Sequence, residues 1–594
     1  MNRLQDLLPS PTADAVFGKA ATPLSSLDCA FAHFLNKQLP SDEPCHLWLA
    51  ALTSHQWTRG HACLDLALLH ELPAQVLGWT QEQAQQLPAQ LAQAARTLPW
   101  THHETSPLVL HTSTEHPQGL LYLRRAWRAE QSIRQSIAQR LAQPHTIAAD
   151  LQQQLDDLFP NVASDDMQRK ACEVAATQGM ALITGGPGTG KTTTVVKLLA
   201  LLVGQAHASG QHLRIHLAAP TGKAAARLSE SIQNALSQHA LSNALSAVQD
   251  NIPTHTQTLH RLLNSNSRRV QPLASDVVVI DEASMIDLEM MARLMQSVDV
   301  KARLILLGDK DQLASVEAGA VMAQLCGGAL LREQTVTLTH SHRFDAQSGI
   351  GQWAKTVNAD HNASAVNALW DSTPQGFVSA THNVTRISAA QLLNSGFAQG
   401  VRQAWQPWLD QLAPHQQGQA CDDAQALALL QSFSHFCVLC ALREGGFGVN
   451  QLNAQIAQAL HMGEGAWYVG RPVMVTRNNY ALDVMNGDIG MCLPSPQGGL
   501  RVAFADGANA VRWINPSRLD SVETVFAMTV HKSQGSEFRH VLLVLPPQDA
   551  PVLTRELIYT GITRAKERLT LWAPRAEVLI RACGARVLRS GGLG

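Results

Sequence analysis

At 594 residues, with about 150 per folding unit, the chain has room for roughly four units, which excludes a single small module. Its 45 basic and 47 acidic residues leave a net charge of −2 with His neutral, so a wholly basic nucleic-acid binder is excluded and any DNA contact must be a local groove. Apolar residues at 45% against charged ones at 15% exclude a disordered or fibrous chain.

Met1–Ser10 has a basic residue but no sustained apolar stretch and no small-residue cleavage site, so no secretory signal is expected. Apolar runs such as Val541–Leu545 are strand-sized, far short of the ~20 residues of a membrane-spanning helix, and a cytoplasmic chain with no membrane partner is expected. Residues 1–150 repeat apolar positions every three or four residues, as at Gln81–Leu98 and Ala129–Leu141, which predicts a helical N-terminal docking domain. From Ala181 short apolar runs alternate with helical segments: Ala181–Thr184, Arg214–Ala218, Val277–Ile280 and Arg303–Leu307. That alternation predicts a parallel sheet covered by helices over 151–335, with an insertion at about 228–275. The same texture resumes near Thr335 and returns at Val541–Leu545 and Leu569–Trp572, which predicts a second α/β domain over 336–594. Within it, Trp467–Val522 is rich in Gly, Asn and Val and reads as a β-rich insertion. The ten Cys are scattered; Cys437 and Cys440, inside an apolar run, read as buried strand thiols rather than metal ligands, and the Trp residues read as core.

The chemistry begins at Gly185-Gly186-Pro187-Gly188-Thr189-Gly190-Lys191-Thr192. A glycine-rich turn between an apolar strand and the helix that starts at Thr193 aims successive backbone N–H groups and a helix N-terminus at phosphate. Lys191 then reaches the β- and γ-phosphates of ATP, and the Thr192 hydroxyl takes a place on Mg²⁺. The strand Val277–Ile280 delivers two carboxylates at its end, Asp281 to hold the metal through water and Glu282 to orient and deprotonate the attacking water. A GTP switch would need an Asn-Lys-x-Asp base reader; the only Asn-Lys, Asn36-Lys37, precedes the loop and lacks the Asp.

Further segments complete an ordered series from about Asp165 to Arg575: Asp166-Met-Gln168, Ala218–Arg227, Thr258–Leu263, Leu306–Leu313, His340-Ser-His-Arg343-Phe, Ala527–Phe538 and Tyr559–Lys566. The series resembles the superfamily 1 helicases, and within them the RecD subunit family of bacterial exodeoxyribonuclease V. His342 departs from the pattern, which more often has Tyr there. The resemblance implies an α/β fold with two RecA-like P-loop motor domains, small inserted subdomains and a helical N-terminal domain. It implies that Gln168 reads adenine, that Gln312 senses the γ-phosphate and links the two domains, that Arg343 and Arg564 reach the γ-phosphate, and that Gly535 and Glu537 belong to the nucleotide site. Thr221, Lys223, His260, Thr529, His531 and Lys532 would supply donors to strand phosphates. Gln534 ahead of Gly535 points to the 5′→3′ branch.

The implied activity is an ATP-dependent 5′→3′ DNA helicase that acts on single-stranded DNA at duplex ends, with RecB and RecC, in double-strand break repair and recombination. No nuclease acid cluster is evident, so exonuclease activity would belong to a partner. Three alternatives stay open: a stand-alone RecD-like helicase, whose helix-hairpin-helix elements are not visible in residues 1–150, a P-loop phosphotransferase, and a structural subunit that uses ATP as a conformational lock.

Overall fold

Strict alternation of buried side chains builds the central layer, because successive residues of a strand face opposite sides of a sheet. In a computed structural model of the chain, residues 23–145, 147–160, 163, 166–237, 249–264, 269–314, 318–341, 348–387, 396–507 and 510–594 are described. A six-stranded parallel sheet runs in the order Gln257–Thr258, Ile215–Ala219, Val277–Ile280, Arg303–Gly308, Met180–Gly185, Thr335–Leu338. Ile183, Val279 and Ile305 enter the core on one face, while Leu182, Val278 and Leu304 enter the core on the other. Both faces are covered by helices, which is why these strands read as unbroken apolar runs.

A second parallel sheet of five strands has the order Val384–Ile387, Ala565–Trp572, Phe538–Val544, Phe436–Cys440, Ala527–Thr529. Its two faces are likewise separate cores, Cys437, Leu439 and Val541 on one and Val438, Cys440 and Leu542 on the other. Cys437 and Cys440 are therefore buried on opposite faces of one strand, and burial pushes the Cys440 thiol up to about 12. Of the Trp residues none is exposed; Trp405 and Trp408 pack with Phe433 and Phe526.

Several expected elements differ in extent. Thr335–Leu338 does not open the second domain: it pairs with Met180–Gly185 as the edge strand of the first sheet, where Val336 and Leu338 join the same core as Ile183. Gln81–Leu98 is broken into Gln81–Ala84, Leu91–Ala94 and Ala95–Thr97, with Pro88 removing a donor and blocking a continuous helix. Residues 1–150 also carry a three-stranded antiparallel sheet, Cys63–Asp65, Leu120–Leu123 and Leu108–His111, beside the helices. Within 228–275, the helix Gly222–Ser237 continues from the motor domain and Gln257–Thr258 is its edge strand, while 238–248 and 265–268 lie outside the described residues. The expected β-rich insertion is a five-stranded antiparallel sheet, in the order Val511–Ile514, Leu500–Ala505, Ile489–Pro494, Pro472–Val475, Val522–Thr524.

The N-terminal region is fastened to the first sheet by the helix Arg124–Leu141, whose Ile133 and Ile137 share a core with Met291 and Met295. At its end Arg140, fully buried, donates to the carbonyls of Val298, Asp299 and Ala302 at 2.5, 2.9 and 2.8 Å. Burial lowers its pKa to about 10, against the pull of the Asp299 charge. Arg140→Met keeps the apolar stem and strips the donors from these carbonyls. It is expected to cost about 2–4 kcal/mol, read from the shift of the urea unfolding midpoint.

Candidate nucleotide cleft

The turn after Met180–Gly185 closes through its own side chains: the Thr189 hydroxyl donates to Gly186 O at 2.8 Å. Gly188 and Gly190 take φ of +79° and +82°, the left-handed region where a side chain would be strained. The helix Lys191–Ala208 starts directly after Gly190. Lys191 Nζ folds back onto the loop, donating to Gly185 O at 2.5 Å and Gly186 O at 3.2 Å. Gln168, at the start of the helix Met167–Thr177 capped by Asp166, donates to Thr189 O at 3.2 Å.

One cleft of about 630 Å³ collects most of the residues expected at the site. Gln168, Pro187, Gly188, Gly190, Lys191, Thr192, Thr193, Asp281, Glu282 and Gln312 line it from the first domain, and Glu537 and Arg564 from the second. Gly185, Gly186 and Thr189 stand behind this lining, and Gly535, at φ +71°, faces Thr221 and Ala224 instead. Arg343 lies outside the described residues; two positions before it, Ser341 donates to Pro187 O at 3.3 Å.

Asp281 ends the Val277–Ile280 strand and accepts the Glu282 N–H at 2.9 Å. Its carboxyl is pushed up to about 6, by burial first and then by the neighbouring Glu282, against the pull of Lys191. Glu282 itself has φ +51°, a conformation that costs a non-glycine residue energy and persists only where surrounding contacts enforce it. Thr192 and Asp281 offer a hydroxyl and a carboxylate, hard oxygen donors of the kind that suit Mg²⁺. Among the described residues no cluster of three or more His, Cys, Asp or Glu could hold a metal by itself.

The two domains meet at Asp309–Leu313, directly after the strand Arg303–Gly308. Arg564 Nη2 donates to Gln312 Oε1 at 2.8 Å, while its other nitrogens donate to Thr560 O and Ser536 O. Gln312 Nε2 donates to Asp309 Oδ2 at 3.1 Å. The Leu313 N–H donates to Thr560 Oγ1 at 3.0 Å, and its carbonyl accepts from Gln534 Nε2 at 2.7 Å. Arg564 is buried, which lowers its pKa, with Glu282, Glu537 and Asp309 opposing that effect.

The expected strand-contacting residues are spread more widely. Thr221 caps the start of Gly222–Ser237 by accepting the Ala224 N–H, and Thr529 accepts the Lys532 N–H. Lys223 is half-buried opposite Asp488 of the β-rich insertion, whose Met485 lies against Gly222. His260 is exposed on Leu259–Leu262. Burial lowers the pKa of His531, and Lys532 is paired with Glu523.

Arg227 and Tyr559 are the residues that motif reading missed. Arg227 lines the cleft and pairs with Glu537, which Lys566 also approaches at 3.3 Å. Ala224, Arg227, Leu228 and Ser231, spaced i, i+3, i+4 and i+7, share the helix face on the cleft, so helical periodicity past Thr221 would have found it.

Residues 20–122 match the N-terminal domain of RecBCD enzyme subunit RecD, residues 163–383 an AAA domain, and residues 524–572 a UvrD-like helicase C-terminal domain. The chain is 34% identical to the RecBCD enzyme subunit RecD of Haemophilus influenzae, covering 94% of this chain and 96% of that one. It is 40% identical to the subunit of the same description from Mycolicibacterium smegmatis, over 79% and 82%. The ATP-dependent RecD2 DNA helicase of Deinococcus radiodurans is 29% identical, with 78% of this chain matching 57% of that protein.

The half-buried Asp281 carboxyl sets a pH-dependent cost. Its folded pKa of about 6 lies above the ordinary 3.8, so between these values the folded state holds the extra proton and this group's contribution to stability falls as pH rises. Asp281→Asn, which can still accept the Glu282 N–H, is expected to raise Tm at about pH 7.5 in nucleotide-free protein. That gain should shrink towards about pH 5, where the wild-type carboxyl is largely protonated; thermal melts across this range check it.

Proposed function

Since the chain belongs to the RecD family and is an ATP-dependent DNA helicase, we propose that it is a 5′→3′ motor subunit that works with RecB and RecC at broken DNA ends. On this reading it acts in the cytoplasm, loads on single-stranded DNA at a duplex end and serves double-strand break repair and recombination. Among the described residues no helix is long and apolar enough to cross a membrane. The observation that carries the reading is the bond from Arg564 of the second domain to Gln312 of the first, beside the P-loop.

Hydrolysis then follows from the residues at hand. Gln168 reads adenine, and Lys191 exchanges the carbonyls of Gly185 and Gly186 for the phosphates of ATP. Thr192 and Asp281 would hold Mg²⁺, which supplies positive charge against the phosphate oxygens. Glu282 orients the attacking water and takes its proton. Arg564, with Arg343, places a guanidinium on γ-oxygens that gain charge as the bond breaks, so hydrolysis depends on closure of the two domains. Gln312 transmits the γ-phosphate state to Arg564.

Glu537 belongs to the nucleotide site, and Arg227 keeps its carboxylate oriented towards the cleft. Thr221, Lys223 and His260 on the first domain and Thr529, His531 and Lys532 on the second grip the strand in turn, so that opening and closing become steps along it. The second series from His340 to Lys566 has no place in a phosphotransferase of small substrates, and Glu282 and Arg564 would be needless in an ATP lock.

Lys191→Ala is expected to abolish ATP-driven translocation and leave the fold intact, because this lysine donates its hydrogen bonds to loop carbonyls and packs in no core. Unwinding at the wild-type rate would overturn the assignment. Translocation polarity is tested by streptavidin displacement: loss of the block from the 3′ end of single-stranded DNA alone is expected. Arg564→Lys keeps the charge and loses the fork of donors; DNA-stimulated kcat should fall on the order of 10²-fold while nucleotide Kd moves a few-fold.

A further inference from the structure

Tyr559 belongs to two domains at once. Its ring lies in the core of the second domain with Ile558, Ile562 and Leu313, on the helix Arg555–Thr563. Its hydroxyl leaves that core and donates to Asp309 Oδ2 of the first domain at 3.2 Å. The same carboxylate oxygen accepts from Gln312 Nε2, and Gln312 Oε1 accepts from Arg564. A continuous chain of hydrogen bonds thus leaves the second domain at Tyr559, crosses the first through Asp309 and Gln312, and returns at Arg564.

The far side of this hydroxyl is the P-loop. A Cβ built on Gly186 would lie 2.7 Å from Tyr559 Oη, with Asp309 Oδ2 at 3.9 Å as its other neighbour. Gly186 is not held at positive φ, so the close approach of the tyrosine, rather than the backbone, leaves no space for a side chain there. Its carbonyl is one of the acceptors of Lys191, and Asp309 feels the Lys191 charge. The hydroxyl therefore sits where a change of partner by Lys191 is felt first, five positions before the arginine that must answer it.

We propose that Tyr559 is a positioning residue of the ATPase cycle, whose hydroxyl fixes Asp309 and Gln312 and so keeps Arg564 in register with the P-loop. The inference rests on the reading of Arg564 as the group that stabilises the γ-phosphate in the transition state. Loss of the hydroxyl leaves the ring and its core contacts in place but removes the donor to the Asp309 carboxylate that comes from the second domain, leaving it held by the Asp311 N–H and Gln312 of its own segment. A misplaced arginine slows chemistry more than it weakens binding.

The test compares Tyr559→Phe, Arg564→Lys and the double variant in the full chain, with its partners where it requires them, for DNA-stimulated kcat, KM for ATP and Tm. Tyr559→Phe is expected to lower kcat about 10- to 100-fold with KM changed less than about threefold and Tm nearly unmoved. Because both changes act on one chain of bonds, the double variant should be no more than about twofold slower than Arg564→Lys alone. Wild-type turnover in Tyr559→Phe beside a slow Arg564→Lys would overturn the role of Tyr559 and leave that of Arg564 standing. Effects that multiply in the double variant would likewise overturn it, as would a loss of kcat that follows a loss of Tm. Near-wild-type turnover in Arg564→Lys would remove the arginine reading, and this inference with it.

Discussion

The hydrogen bond between Gln312 and Arg564 is the contact on which the arrangement turns. It lies where a strand of the first sheet ends and the segment Asp309–Leu313 enters the second domain, with Leu313 buried in that domain's core. Five residues thus carry a carboxylate that faces the P-loop, an amide that reaches the arginine, and a backbone held by Thr560 and Gln534. A domain movement that left this segment behind would break all of those bonds together. Movement and the state of the phosphate site are therefore mechanically joined, which is the requirement of a motor.

The cleft concentrates groups that oppose folding. Asp309 is buried and Asp281 half-buried, desolvation pushes both carboxyls up to about 6, and Glu282 occupies left-handed backbone. Each is costly alone, and each faces a cation from a different element: Lys191 from the P-loop, Arg227 from the next helix and Arg564 from the other domain. Preorganised charge of this kind stabilises a transition state because it needs no rearrangement when charge develops. The large apolar cores on both faces of each parallel sheet, and the buried Arg140 clamp to the N-terminal region, are what offset this local cost.

Legibility in the sequence tracked how local each feature is. The P-loop, Asp281, Glu282 and the strands that carry them are set by contiguous residues, and they fall together in one cleft. Thr335–Leu338 misled because an edge strand looks the same whichever sheet it joins; only its pairing with Met180–Gly185 decides. The small sheet within residues 1–150 was hidden because its strands are three or four residues long and lie among helical periodicity. Arg227 is legible only by following the helical period past Thr221 on to the cleft face, and Tyr559 is not legible because its role lies in a hydroxyl 250 positions away from its acceptor. The residues proposed to grip the strand carry no local signature of their own, because a Thr that caps a helix and a Thr that contacts phosphate look alike in one chain.

Gln312→Ala offers the most direct measurement of the central claim, that this amide couples nucleotide state to the arginine across the domain boundary. Single-turnover hydrolysis is measured beside equilibrium nucleotide affinity, with saturating single-stranded DNA. The account predicts that nucleotide stays bound with nearly unchanged affinity while its hydrolysis and the DNA stimulation of that step are largely lost. Hydrolysis at the wild-type rate per bound nucleotide, with DNA stimulation intact, would contradict it.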